Sequence, residues 1–218
     1  VRVRQAVSLT RDRRPFIDVA YQGDADLGGY MLSGFWSLPK EEVLKLPGYR
    51  YPKDQDIAEA KRLLAEAGYP GGFKTKVMTS STLRPFADSA VLVKDQLSKI
   101  GVDVTIELYD TAKILQTRSE RRFDTLVFGT VPASIDPDAV LGDEYLTPGA
   151  LNFASYSNPR FDELFEKASQ TIDPVARQGL VRQMEALLFQ DVPRVVLVWR
   201  KITSVNRPYV KGFVQGPG

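Results

Sequence analysis

The chain has 218 residues, 43% hydrophobic and 26% charged, enough for one large domain with its own core. Lys plus Arg number 29 against 27 for Asp plus Glu, and the balance of +2 is too small to imply nucleic acid or an anionic membrane as partner. Cys and His are both absent, which excludes disulfides, thiolate zinc sites, Ser-His-Asp triads and Cys-His pairs together.

A lack of Cys suits an oxidising compartment. No apolar run approaches the ~20 residues that span a bilayer, and no signal peptide is visible at Val1-Arg2-Val3-Arg4. Basic residues gather at Arg2, Arg4, Arg11, Arg13 and Arg14 and again at Arg118, Arg121 and Arg122, without the aromatic interleaving of a nucleic-acid groove. They read as solvated helix faces.

Residues 2–13 read as a helix carrying Val3, Ala6, Val7 and Thr10 on one side, and residues 15–22 as a further short helical piece. Residues 23–53 lack sustained periodicity and contain five Gly and three Pro, so an irregular surface segment is expected. Its aromatics Tyr30, Phe35, Trp36, Tyr49 and Tyr51 predict that it packs, as Trp36 and Trp199 do. Residues 56–67 form a helix with Ile57, Ala60, Leu64 and Ala67 on one face. Asp56 with Glu59 is expected to form a capping box, and Gly68 with Pro70 to stop the helix.

An α/β region follows. Strands are predicted at 73–79 and 102–108 from alternating apolar and polar residues. A helix is predicted between them from Phe86, Ala90, Val93, Leu97 and Ile100, and another at 111–122. Leu126-Val127-Phe128 suits a central strand. This β-α-β-α-β order predicts parallel strands joined by right-handed crossovers. Asn158-Pro159 and Asp173-Pro174 each pair an N-cap with a proline at the first helical position. Val195–Trp199 is expected to be a buried strand and Ile202–Val205 another short one.

Several stretches, in order, resemble one family. The helix from Asp56 to Tyr69 is similar to a signature of the extracellular solute-binding proteins of family 5, which deliver peptides, nickel chelates, sugars and other solutes to ABC importers. Val3-Arg4-Gln5-Ala6-Val7, Ile100-Gly101-Val102-Asp103-Val104, Phe123-Asp124, Asp136-Pro137-Asp138, Tyr156-Ser157-Asn158-Pro159 and Val210-Lys211-Gly212-Phe213 resemble further family motifs. The resemblance implies an α/β, periplasmic-binding-protein-like lobe with a mostly parallel sheet flanked by helices. It further implies that residues 1–218 are a single domain, the second (C-terminal) lobe of a two-lobed protein, and that residues from about 200 to 218 cross back toward the missing first lobe.

The implied function is capture of a small polar solute between two lobes for an ABC permease, with periplasmic location or a lipoprotein anchor outside a Gram-positive cell. The implied partners are a small-molecule or peptide solute, the permease transmembrane subunits and the N-terminal lobe, with no nucleic acid, cofactor, metal or catalysis. Loops beyond the carboxyl ends of parallel strands face the ligand. They hold Thr79, Ser80 and Ser81 (alternatively helix-capping with Thr82), Tyr109, Gly129, Thr130 and Asp136 (alternatively a turn residue). Asn152 and Tyr156 are further candidates, or else a loop-closing amide and a core ring.

Many relatives carry a Gly-Trp pair and then an acid that receives a peptide's amino terminus. Here Gly129 is followed by Thr130 and Val131, and no acid precedes Asp136, which argues against an ordinary di- or oligopeptide ligand. Two other functions remain open at this point: the solute-sensing domain of a transcription regulator, and a hydrolase using Asp136 with Asp138 or Asp143 with Glu144.

Overall fold

The computed structural model describes residues 1–129, 132 and 134–214. The chain opens with helix α1 (Arg2–Leu9) and a π-helical turn at Phe16–Ala20. Within the irregular segment lie a two-residue strand β1 (Ala25–Asp26) and a short helix α2 (Lys40–Val43). Next come α3 (Asp54–Glu66), β2 (Lys74–Ser80), α4 (Arg84–Ser98), β3 (Asp103–Tyr109), α5 (Thr111–Ser119) and β4 (Thr125–Val127). A second π-helical turn at Asp138–Gly142 runs into α6 (Asp143–Tyr145), followed by α7 (Pro159–Ser169), α8 (Pro174–Asp191) and β5 (Trp199–Arg200). No helix among the described residues is long and apolar enough to cross a membrane.

Strands β2, β3 and β4 form a parallel sheet in the order β3-β2-β4, in register from Lys74↔Asp103 to Ser80↔Tyr109 and from Val77↔Thr125 to Thr79↔Val127. The central strand is therefore β2, not the Leu126–Phe128 run expected there. Four consecutive residues of β2, Val77 to Ser80, are buried, as a strand with neighbours on both edges and cover on both faces requires. One crossover leads from β2 out to β3, and the next leads from β3 back past β2 to β4. Right-handed crossovers in opposite directions put α4 and α5 on opposite faces and make the β2/β4 boundary a topological switch point.

On the α4 face, Val77, Val104 and Val127 pack against Ala90, Val93 and Leu97, and beyond them lie Ala6, Leu9, Ala60 and Leu64 of α1 and α3. Full burial of one such Leu contributes about 1.5–3 kcal/mol. Gly72 (φ +81°) and Gly101 (φ +80°) let the chain turn at the opposite end of the sheet. A Cβ on Gly72 would lie 1.9 Å from the Gly101 carbonyl oxygen, so only glycine fits.

A second core joins α7 and α8 through Phe161, Leu164, Val181, Met184 and Leu188, and takes in Tyr30, Met31, Tyr145 and Tyr156. Both helices start as predicted. Asn158 Oδ1 accepts the Arg160 and Phe161 N–H groups, and Asp173 Oδ1 accepts that of Ala176.

The irregular segment is pinned by buried polar groups. Glu185, fully buried on α8, accepts the N–H of Met31 (2.9 Å) and of Leu38 (3.0 Å). Arg13 donates to the carbonyls of Gly48 (2.7 Å) and Val196 (2.9 Å) and lies over the Tyr49 ring. Trp199 Nε1 donates to the Gly29 carbonyl.

Asp56 is not the predicted cap. Helix α3 begins two residues before it, and its fully buried carboxylate meets Lys53 Nζ (2.6 Å), Arg50 Nε (2.8 Å) and the Gly48 N–H (3.0 Å). Glu59 pairs with Arg62 instead. The strands expected at Val195–Trp199 and Ile202–Val205 reduce to β5, paired antiparallel with β1. Side chains take the place of a neighbouring strand: Tyr30 donates to the Arg194 carbonyl and Arg13 to that of Val196. Residues 201–214 are exposed.

Candidate functional site: the carboxyl edge of the parallel sheet

The register decides what meets at this edge. Ser80 lies level with Tyr109 at the ends of β2 and β3, and Val127 ends β4 beside Thr79. In a parallel sheet the loops beyond the carboxyl ends of the strands are where a ligand is met, and here those loops begin at Ser81, Asp110 and Phe128. Of the predicted residues, Thr79, Ser80, Ser81, Tyr109 and Gly129 are brought to this rim. Thr130 lies outside the described residues.

The rim residues divide by what their atoms already do. Thr79 is buried and donates its hydroxyl to the Val127 carbonyl (2.9 Å), tying β2 to β4. Buried Ser80 accepts the Thr82 and Leu83 N–H groups at 3.2 and 3.0 Å. It thus shapes the turn into α4, a role that sequence alone suggested for Ser81 or Thr82. Ser81 is exposed and clamped to the neighbouring strand by its N–H, which donates to the Tyr109 carbonyl (2.8 Å). Tyr109 is partly exposed and its hydroxyl reaches Glu107 at 3.4 Å.

Gly129 permits a close approach. A Cβ there would sit 2.8 Å from Phe86 Cζ, so its backbone lies directly against the first turn of α4. Phe86 in turn packs on Phe128, with ring centroids 5.0 Å apart. This aromatic pair was not predicted as site chemistry, since Phe86 read only as a helix-face residue. The missed signal is an aromatic directly after the last residue of a strand and directly before the glycine.

Three other candidates are engaged away from the rim. Asn152 is buried. Its amide donates to the carbonyls of Leu146 (3.0 Å) and Tyr156 (2.7 Å) and accepts the Tyr156 N–H (2.9 Å), so it closes the 146–156 loop. Tyr156 is a core ring against Phe161, with its hydroxyl on Asp191 (2.8 Å). Asp136 makes a two-pronged pair with Arg177 (2.9 and 2.8 Å) and accepts the Asp138 N–H in a turn. The Arg177 hydrogen bonds hold the Asp136 carboxyl below the usual carboxylate range. Asp138 joins the same arginine (2.9 Å), and Glu144 pairs with Arg194.

Both carboxylates offered above as parts of acid pairs, Asp136 and Glu144, are therefore engaged by arginines. Among the described residues no group of three acidic side chains converges as a metal site. What the rim offers is backbone groups, side-chain hydroxyls and an aromatic pair, a set suited to gripping a solute.

Similarity to known proteins points the same way. Over 226 aligned positions the chain is 29% identical to heme-binding protein A of Haemophilus influenzae, covering 100% of this chain and 40% of that protein. It is 27% identical to di/tripeptide-binding protein 1 of Pseudomonas aeruginosa, covering 99% and 40%. The ABC transporter-associated periplasmic binding protein DppA of Helicobacter pylori, solved with the peptide STSA, superposes with a TM-score of 0.76 at 28% identity over 90% of this chain and 38% of that one. The chain thus spans about two fifths of the length of the curated relatives it matches. The model of the family described as bacterial extracellular solute-binding proteins, family 5 Middle, matches residues 1–150, more than half of the sequence, and the chain belongs to that family.

Proposed function

We propose that this chain is one wall of the ligand cleft in the solute-binding component of an ABC importer. In this reading residues 1–218 are a single domain, the second lobe of a two-lobed protein working outside the cytoplasmic membrane. The solute is small and polar, a peptide, sugar or chelate, and closure of the lobes traps it for the permease transmembrane subunits. Residues from about 200 onward lead back toward the other lobe; their exposure, with Val205, Tyr209 and Phe213 uncovered, supports that role. The chain contributes grip and no chemistry.

What supports the reading is that β2, β3 and β4 end at one edge of a parallel sheet, where Ser81, Tyr109 and Gly129 lie at or just past the strand ends, in a chain whose named relatives bind heme or peptides. Gly129, Ser81 and Tyr109 are retained as ligand-facing, as is Thr130. The test is native mass spectrometry of the longest natural polypeptide containing this chain, with and without Gly129→Val. A co-purifying solute that the variant loses supports the proposal. A solute held equally by the variant, or a polypeptide that binds no peptide, sugar or chelate, contradicts it.

A further inference from the structure

Arg118, which forms no ion pair among the described residues, stands beside the carboxyl edge. Arg118, near the end of α5, holds its guanidinium carbon 4.5 Å from the Phe153 ring centre and 5.9 Å from that of Phe128. Its Nε is buried with no hydrogen-bond acceptor. Burial and the nearby Arg194 charge both push its pKa down, while Glu144 acts in the opposite sense.

That carboxylate is already bound to Arg194. Asp136 and Asp138 are held by Arg177, and Asp110 caps α5 through the Lys113 N–H (2.8 Å). Among the described residues, then, these neighbouring carboxylates are engaged by other groups, and the Arg118 charge has no ion-pair partner. A guanidinium is a planar fork matched to a carboxylate, and its stacking on aromatic faces pre-orients it. Phe128 passes directly into Gly129 and packs on Phe86, so the fork and a flat apolar surface are contiguous.

We infer that the solute carries a carboxylate and a flat apolar portion and requires no free ammonium group, with Arg118 receiving the carboxylate and Phe86 and Phe128 the flat portion. The inference rests on the reading of this edge as the cleft wall, and names the ligand class that the edge selects.

The test uses three probes on the longest natural polypeptide containing the chain: N-acetylphenylalanine, its uncharged amide, and phenylalanine amide, which has an ammonium and no carboxylate. Binding is followed by calorimetry and by the amide resonances of Ser81 and Gly129. The expected result is that the acid binds at least about tenfold more tightly than either amide, and that Arg118→Gln abolishes the preference. Arg118→Lys, which keeps the charge without the fork, retains part of it, and Phe128→Leu weakens all three probes. If an amide binds as tightly as the acid and shifts Ser81 and Gly129, the ligand class is wrong while the site stands. If none of the probes shifts those resonances, both fall.

Discussion

Replacing Glu185 with alanine tests whether buried polar anchoring, rather than regular secondary structure, holds residues 29–38 in place. The carboxylate is fully buried and accepts the N–H groups of Met31 and Leu38. Alanine leaves both donors without these acceptors, each worth about 1–3 kcal/mol when buried unsatisfied, and opens space beside Gly29 and Phe189. A loss of about 3–5 kcal/mol follows, enough to consume a third or more of a typical domain's stability. Glu185→Gln keeps an acceptor oxygen and should lose less, about 1–2 kcal/mol.

The pH dependence carries a definite sign. Burial raises the Glu185 pKa in the folded chain, against the opposing pull of the backbone N–H groups. The folded state thus holds the proton more tightly than the unfolded one. The stabilisation this gives is fully present below the ordinary glutamate pKa and is lost as pH rises through the raised folded value. Glu185→Gln removes this component, so the difference between wild type and variant must change across that window. Urea midpoints at several pH values and hydrogen exchange at Met31 and Leu38 measure both effects. A loss below about 1 kcal/mol for Glu185→Ala, or unchanged protection of those two amides, refutes the reasoning.

Gly72→Ala places a Cβ 1.9 Å from the Gly101 carbonyl at a φ of +81°, and the midpoint of urea unfolding should fall by several tenths of its value or the chain should fail to fold. Asp56→Ala leaves Lys53 and Arg50 without their shared carboxylate partner and should cost about 3–5 kcal/mol, whereas Glu59→Ala on the exposed face of the same helix should cost about 0.5 kcal/mol; thermal melts of both separate the two. Asp136→Asn bears on acid stability. The Arg177 pairing lowers the Asp136 pKa, so its contribution is present above the ordinary aspartate pKa and disappears as pH falls through the lower folded value. Partial exposure limits it to about 1 kcal/mol, read as a variant-to-wild-type gap at pH 7 that closes toward pH 2.

Periodicity reveals the helices and most strands of residues 56–128 because most of these elements bury one face, and burial is written in the spacing of apolar residues. It misplaced the centre of the sheet, because a short apolar run such as Leu126–Phe128 fits a central or an edge position alike. The burial of Lys74–Ser80 near its end depends on what crosses above it, which local sequence does not encode. Asp56 reads as a cap by spacing, yet the cations that claim it, Arg50 and Lys53, act through tertiary geometry.

The rim was legible as loops following strands, and Gly129 and Ser81 were named on that ground. Which hydroxyls and amides were free was not, since Thr79, Ser80 and Asn152 are committed by partners that only the fold supplies. Arg118 read only as one of a basic cluster because its stacking on Phe153 and Phe128 is a property of space, not of order along the chain.

The most direct test of the clamp is hydrogen exchange of the longest natural polypeptide with and without its co-purified solute. The solute should protect residues 80–83, 109–111 and 128–129, at the carboxyl ends of the three strands, and leave Lys74, Asp103 and Thr125 at the opposite ends unchanged. Protection confined to those opposite ends, or none at the carboxyl edge while the solute is bound, would contradict it.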